Sequence, residues 1–305
     1  MAKPHVRIFG AMSTTTLYRL RQHFVVSYHP TGVPDLSARS DAMAIVTRGH
    51  IVVDDDFMKA HPNAKLVIRA GSGMEKVNSA ALERRNVTLV RLGSERSARS
   101  VAELCLLSAL FLLREAGRGH IGLTRGVWRK PDLIGRELYG KRVGVWGFGP
   151  VGRSAAQIFA ALGCEIRVHN RSGATDPFPH APQLESLCAW GDIQVVALPL
   201  TSRTRGIVSA QLLQLMAQAQ AILINAARWE VLDVPVAMDL LASGLLRGLA
   251  IDPIDLEHVP AAADRLGRED VNLLLTPHIG ASTLEAMDRM GEAIADHLER
   301  YLLDP

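Results

Sequence analysis

Short apolar runs alternate with helical stretches along the first hundred residues. Val6 to Phe9, Phe24 to Tyr28, Ala44 to Thr47, Leu66 to Ala70 and Val87 to Arg91 are each rich in Val, Ile or Leu. All are short enough to be buried strands. Asp54 to His61 and Asn78 to Arg85 read as helices between them. Strand alternating with helix predicts a parallel α/β unit. Ser100-Val101-Ala102-Glu103 then opens a long apolar helix. Ser100 is the expected N-cap and Glu103 the residue that reaches back to complete a capping box. Arg125 to Lys141 carries Gly, Pro and charge, and reads as a connection.

The alternation restarts after it. Lys141 to Trp146, Glu165 to His169, Ile193 to Leu198, Ala221 to Asn225, Leu246 to Ile251 and Asn272 to Thr276 read as strands of a second sheet. Gly152 to Leu162 is a predicted helix after the first of them. Ser282 to Leu303 repeats its apolar positions at Ala286, Met290, Ile294 and Leu298, which is helical spacing. A length of 305 residues also suits about two domains.

Composition narrows the function classes. Hydrophobic residues make up 48% and charged residues 21%, enough for sizeable cores. Net charge is only +3 with no block of like charges, so no nucleic-acid partner is expected. Cys105, Cys164 and Cys188 fit neither a zinc pattern nor a disulfide framework, and no metal is expected. The start, Met-Ala-Lys-Pro-His-Val-Arg-Ile, lacks the apolar stretch of a signal peptide. Leu104 to Leu113 is too short to span a bilayer. The expectation is a cytoplasmic protein with no membrane partner.

The turn after the strand Lys141 to Trp146 carries the chemistry. Gly147, Gly149 and Gly152 form GxGxxG, with Pro150 and Val151 between the last two. Such a turn needs one glycine to turn tightly, one to let a pyrophosphate approach, and one to let helix and strand pack closely. The helix N-terminus then offers N–H groups to the phosphates. About 20 residues on, an acid normally holds the ribose hydroxyls. Here the strand ends in Asn170-Arg171-Ser172, a guanidinium and a hydroxyl in place of a carboxylate. These suit a 2′-phosphate, so NADP(H) is expected ahead of NAD(H).

Several further landmarks follow in order. They are Gly71-Ser72-Gly73-Met74-Glu75-Lys76-Val77, Gly135 to Lys141, Leu198-Pro199-Leu200-Thr201 with Thr204, Ile224-Asn225-Ala226-Ala227-Arg228, Ala250-Ile251-Asp252 and Thr276-Pro277-His278-Ile279-Gly280. With these the chain resembles the D-isomer-specific 2-hydroxyacid dehydrogenases, which include glyoxylate and hydroxypyruvate reductases. The resemblance implies two Rossmann-like or flavodoxin-like α/β domains with parallel sheets and a cleft between them. Residues 1–100 with 282–305 would form the substrate domain, and 101–281 the dinucleotide-binding domain. It also implies a homodimer, with the helix after Ser100 near the interface.

The resemblance implies residue roles as well. Arg228 matches the arginine that grips substrate carboxylate and keto oxygen, His278 the acid/base, and Glu257 the partner of that histidine. Hydride arriving at C2 of a 2-keto acid leaves charge on oxygen, so a proton donor must stand ready. A histidine beside a carboxylate meets that need near neutral pH. Gly71, Ser72 and Gly73 would turn N–H groups toward the same substrate carboxylate. Arg48 would line the substrate cleft or be a solvated loop residue. Asp252 would contact the nicotinamide end or cap a helix. Pro199, Thr204, Ala227, Gly280 and Ser100 would complete the dinucleotide site.

Departures from the family pattern bear on the substrate. Trp229 stands where glycine usually follows the arginine, Pro253 replaces the usual Val, and His258 the usual Pro. Pro150 stands where an arginine often meets the pyrophosphate. The activity the resemblance implies is reduction of small 2-keto acids such as glyoxylate or hydroxypyruvate. The alternative is a dinucleotide-sensing, non-catalytic interaction protein of the corepressor type.

Overall fold

The computed structural model describes residues 2–31, 39–49, 51–128, 130–254 and 271–303. The chain divides into two compact units, Met1–Ser97 with Ser282–Pro305, and Ala98–Ala281.

The first unit is built on β1 (His5–Phe9), β2 (Val25–His29), β3 (Ala44–Thr47), β4 (Leu66–Ala70) and β5 (Thr88–Leu92). All pair in parallel, in the order β2-β1-β3-β4-β5. That is the flavodoxin-like order. Successive side chains of a strand point to opposite faces, so a continuous apolar run serves two cores at once. Leu66 and Ile68 of β4 join one core with Val6, Ile8, Leu17 and Leu20. Val67 joins the other, with Phe9, Phe57, Met58 and Leu82. Helix α1 (Thr14–His23) covers the first of these faces, capped by Ser13. Helices α2 (Asp55–Lys59) and α3 (Ser79–Glu83) lie on the second and start from Asp54 and Asn78, whose side chains accept from Phe57 and Ala81 N–H.

A helix at Leu284–Leu302 completes this unit. Its apolar stripe, including Met290, Ile294 and Leu298, enters the core beside Val6 and Ile8. The helix crosses α1 closely at Gly291, where a Cβ would lie 1.9 Å from Thr16 Oγ1. Arg19 of α1 closes the contact by donating to Glu299 at 2.6 and 3.0 Å and to Asp296 at 2.8 Å.

The second unit carries β6 (Arg142–Trp146), β7 (Glu165–His169), β8 (Ile193–Val196), β9 (Ile222–Asn225), β10 (Gly248–Ile251) and β11 (Leu273–Leu275). The order is β11-β10-β9-β8-β6-β7, again all parallel. The chain leaves β6 for β7 on one side and then crosses to β8 on the other. Such a reversal leaves a crevice beyond the carboxyl ends of the strands, where ligands of this fold class bind. Helices α4 (Ala98–Leu113) and α6 (Pro150–Ala161) pack on one face, and α7 (Leu184–Trp190), α8 (Ala210–Gln218) and α9 (Val234–Ala242) on the other. A short α5 (Ala116–Thr124) follows α4. No described helix is long and apolar enough to cross a membrane.

Two sequence expectations are corrected here. Helix α4 begins at Ala98, after a single 3-10 turn at Ser94–Arg96. Ser100 therefore lies buried inside the helix and is not its N-cap. Glu103 does not reach back to a cap; it pairs with Arg99 one turn away at 3.0 Å. Helix α6 begins at Pro150, two residues before Gly152, with Gly149 as N-cap. Proline suits that position because its fixed φ is helical and its missing N–H would have been unpaired anyway.

Candidate active site

The glycine turn follows Trp146, which is fully buried at the end of β6. Gly147 takes φ +92° and its N–H donates to His169 O at 2.7 Å. A Cβ there would stand 2.7 Å from Ala197 O. At Gly152 a Cβ would stand 2.0 Å from Gly147 O. Packing within the protein thus requires the first and third glycines. Gly149 differs, because a Cβ there would meet nothing within 4 Å. Its bare backbone faces open space at the helix N-terminus, which is what the approach of a pyrophosphate needs. Arg153 stands over the Phe148 ring at 4.5 Å and adds a positive charge to the first turns of α6.

Beyond β7 the chain folds back on itself. Asn170 Nδ2 donates to Ala174 O at 2.8 Å, and the His180 ring meets Asn170 O at 3.2 Å. Ser172 Oγ accepts from Ala174 N. Asn170 Oδ1 is buried with no hydrogen-bond partner among the described residues. Arg171 is exposed at this strand end.

Arg228 and His278 follow β9 and β11. In a parallel sheet these ends lie on the same side as the glycine turn. Strands are spaced by roughly 4.8 Å, so the ends of β9 and β11 stand about 10 Å apart. Arg228 is half-buried and donates through Nη1 to Ala227 O at 2.8 Å. His278 is exposed, with φ +60°. Ala227 is buried in the core, and Trp229 packs against that same core. Pro199 and Thr204 belong to a loop that closes on itself, Thr204 Oγ1 donating to Pro199 O. Gly280 is tight against Asp252 and α4: a Cβ would lie 2.8 Å from Asp252 Oδ2 and 3.4 Å from Val101 Cγ2.

Among the described residues Asp252 caps no helix. Its carboxylate is 8% exposed and accepts Thr276 Oγ1 and Ile279 N on Oδ1 at 2.8 and 2.9 Å, and Gly280 N on Oδ2 at 2.9 Å. Glu257 and His258 lie outside the described residues. Among the described residues no cluster of His, Cys, Asp and Glu could hold a metal ion.

Arg48, Ser72 and Gly73 belong to the first unit. Sequence reasoning missed the residue that ties their loops together. Arg69 is 3% exposed and donates to Gly49 O at 2.7 Å, Ile51 O at 3.1 Å and Gly73 O at 3.1 Å. The signal was a charged residue inside the apolar run LVIRA. The N–H groups of Ser72 and Gly73 make no hydrogen bond among the described residues. Arg48 donates to Ala11 O at 2.7 Å and forms no ion pair among the described residues. Burial pushes its guanidinium pKa down, so a nearby anion would relieve an existing cost.

Residues 106–280 match the model of the D-isomer specific 2-hydroxyacid dehydrogenase NAD binding domain. A D-3-phosphoglycerate dehydrogenase of Mycobacterium leprae is 30% identical over 314 residues, covering 99% of this chain and 57% of that protein. The chain therefore spans little more than half the length of such relatives. A hydroxypyruvate reductase of Thermotoga maritima is 29% identical over 262 residues, 85% of this chain and 84% of that protein. Among solved structures, an NADPH-dependent glyoxylate/hydroxypyruvate reductase from Sinorhizobium meliloti, in complex with NADP and malonate, superposes with TM-score 0.81. It is 23% identical and covers 98% of this chain and 94% of its own, a likeness of fold. The family model spans more than half of the chain and a relative at 30% identity spans nearly all of it, so the chain belongs to the D-isomer specific 2-hydroxyacid dehydrogenase family.

Proposed function

We infer that the protein is an NADP(H)-linked reductase of small 2-keto acids such as glyoxylate or hydroxypyruvate. The observation that carries this is the arrangement beyond the second sheet. A phosphate-ready glycine turn, an arginine and a histidine all follow carboxyl ends of one parallel sheet. A gap of about 10 Å between the Arg228 and His278 strand ends suits a two- or three-carbon acid held between two long side chains.

A dinucleotide bound at the glycine turn would supply the hydride to C2. The protein's part is recognition and proton transfer. Arg228 binds the carboxylate and keto oxygen through its planar fork and favours negative charge growing on that oxygen. His278 delivers the proton to the oxygen, so that 2-keto acid becomes 2-hydroxy acid. Glu257 would hold His278 protonated until then. In the first unit the N–H groups of Ser72 and Gly73 and the half-buried Arg48 are further candidates for binding an anion. Gly149, Pro150, Val151 and Gly152 would cradle the pyrophosphate, with Arg153 offsetting the arginine absent at Pro150.

The preference for NADP(H) rests on the end of β7. No carboxylate follows that strand directly, and Arg171 and Ser172 are exposed there. A homodimer is supported by the exposed Leu107 and Leu110 of α4, with Leu123 and Trp128 nearby in sequence. Sedimentation at micromolar concentration should give a mass near twice 33.2 kDa.

The deciding experiment is a side-by-side assay of NADPH and NADH with glyoxylate, hydroxypyruvate, pyruvate and bulkier 2-keto acids. The reading predicts turnover with the smaller acids and a lower KM for NADPH. Oxidation of neither cofactor across the whole panel would sink it.

A further inference from the structure

Two buried polar side chains end neighbouring strands of the second sheet. Asn225 closes β9 and is 2% exposed, while Asp252 follows β10 and is 8% exposed. Neither is on the surface where a ligand would explain it, and burying a polar group without partners is costly. Each spends its hydrogen bonds on a short loop of its own unit.

Asn225 holds the loop of Arg228. Its Oδ1 accepts from Ala227 N at 3.1 Å, and its Nδ2 donates to Arg228 O at 2.9 Å. The backbone is thereby fixed on both sides of the peptide that leads into the arginine. Asp252 holds the loop of His278. Its two oxygens receive Thr276 Oγ1 before the histidine and the N–H groups of Ile279 and Gly280 after it. Within that ring His278 takes φ +60° and donates its N–H to Thr276 O at 3.0 Å. A residue with a Cβ is uncommon in the left-handed region, which histidine enters more readily than most, and these bonds hold the backbone on both sides of it. The two holders are also joined: Asp252 N donates to Asn225 O at 2.9 Å. Charge-assisted bonds to backbone N–H are among the stronger ones, so Asp252 is the stiffer holder.

We propose that Asn225 and Asp252 form one positioning unit that sets Arg228 and His278 at a fixed separation for the reaction. The inference rests on the reading that those two residues act on the substrate. It gives Asp252 a job different from contact with the nicotinamide. A shift of about 1 Å in a reacting group can cost roughly 100-fold in rate, so a rigid frame beneath two such groups has a kinetic consequence.

The test uses Asp252→Asn, Asn225→Asp and the milder Thr276→Val in the full chain. Asp252→Asn turns one acceptor into a donor that faces N–H groups. Amide hydrogen exchange without ligand should rise about 10-fold or more at residues 278–280 in Asp252→Asn, and less in Thr276→Val, as expected for lost hydrogen bonds. In turnover, Asp252→Asn should lower kcat about 100-fold with NADPH affinity, read by fluorescence titration, within twofold of the parent. Asn225→Asp should instead raise the keto-acid KM, because it loosens the arginine. A double variant should lose less than the product of the two single losses, since the pair acts as a unit. Unchanged exchange at 278–280 in folded Asp252→Asn or Thr276→Val would overturn the proposal. So would a loss of NADPH affinity with kcat intact. The exchange and titration arms need no turnover, so they judge this inference even if the parent chain reduces none of the keto acids.

Discussion

The two units hold their functional loops with buried groups of opposite sign. In the first unit a cation does it: Arg69 donates to the carbonyls of Gly49, Ile51 and Gly73. In the second an anion does it: Asp252 accepts the N–H groups of Ile279 and Gly280. The choice decides what each loop has left to offer. In the first, carbonyls are tied up and the N–H groups of Ser72 and Gly73 make no hydrogen bond among the described residues. In the second, the N–H groups of Ile279 and Gly280 are tied up and the side chain of His278 is exposed. In the proposed reading one loop receives charge and the other mounts a proton donor.

Four changes would break or sharpen this contrast. The largest effect is expected at the mount. His278→Ala should lower kcat by about 1,000-fold, the middle of the range for a lost general acid, with NADPH affinity kept. An equal loss of cofactor affinity, measured by titration, would argue against the role. Next is the receptor. Arg69→Met leaves three carbonyls without their donor and should cost about 3 kcal/mol in urea unfolding. It should also raise the keto-acid KM, whereas a change confined to stability would separate the frame from recognition. Smaller still, Arg171→Ala should raise the NADPH KM roughly 10-fold, the loss of one charged hydrogen bond, and leave NADH unchanged.

The smallest effect is one of pH and belongs to the first unit. Arg7 donates to Nε2 of both His29 and His61 at 3.2 Å, and His61 Nδ1 donates to Phe57 O at 2.7 Å. Burial first, and the Arg7 charge with it, lower the pKa of both histidines, with the Phe57 bond opposing at His61. The unfolded chain then binds more protons than the folded one. Stability is thus full above the ordinary histidine value of 6.5 and falls as the pH drops below it. A Tm followed from pH 8 to pH 5, roughly spanning that titration, should bend downward near the middle. The bend should be shallower in His61→Gln.

Local patterns made the strands legible. The runs Ala44–Thr47, Leu66–Ala70 and Glu165–His169 are strands at the expected residues. A short Val/Ile/Leu run buried on both faces carries its own address. The glycine turn was legible because each glycine answers a local steric demand. Ser100 and Glu103 misled because S-x-x-E reads the same at a helix start and inside a helix. What separates the two is a turn four residues earlier that packs, not pattern, decides. Asp252 was legible as important and illegible as to purpose, since its partners lie 24 to 28 residues away. Arg69 stood out only as a charged residue in an apolar strand, and Asn225 only within the landmark that ends in Arg228. Their acceptors and donors come from loops whose closure is a tertiary event.

The crossing of α1 with the Leu284–Leu302 helix has a consequence for biosynthesis. Most of the first unit precedes the second in the sequence, yet its core lacks Met290, Ile294 and Leu298 until those residues leave the ribosome. The second unit is translated in full before then. The nascent first sheet must therefore wait, with one apolar face covered only in part by α1, while a complete neighbour is already made. Premature termination before Leu284 would leave that face half covered in a chain whose second unit is whole, a product marked for aggregation or quality control rather than for partial activity.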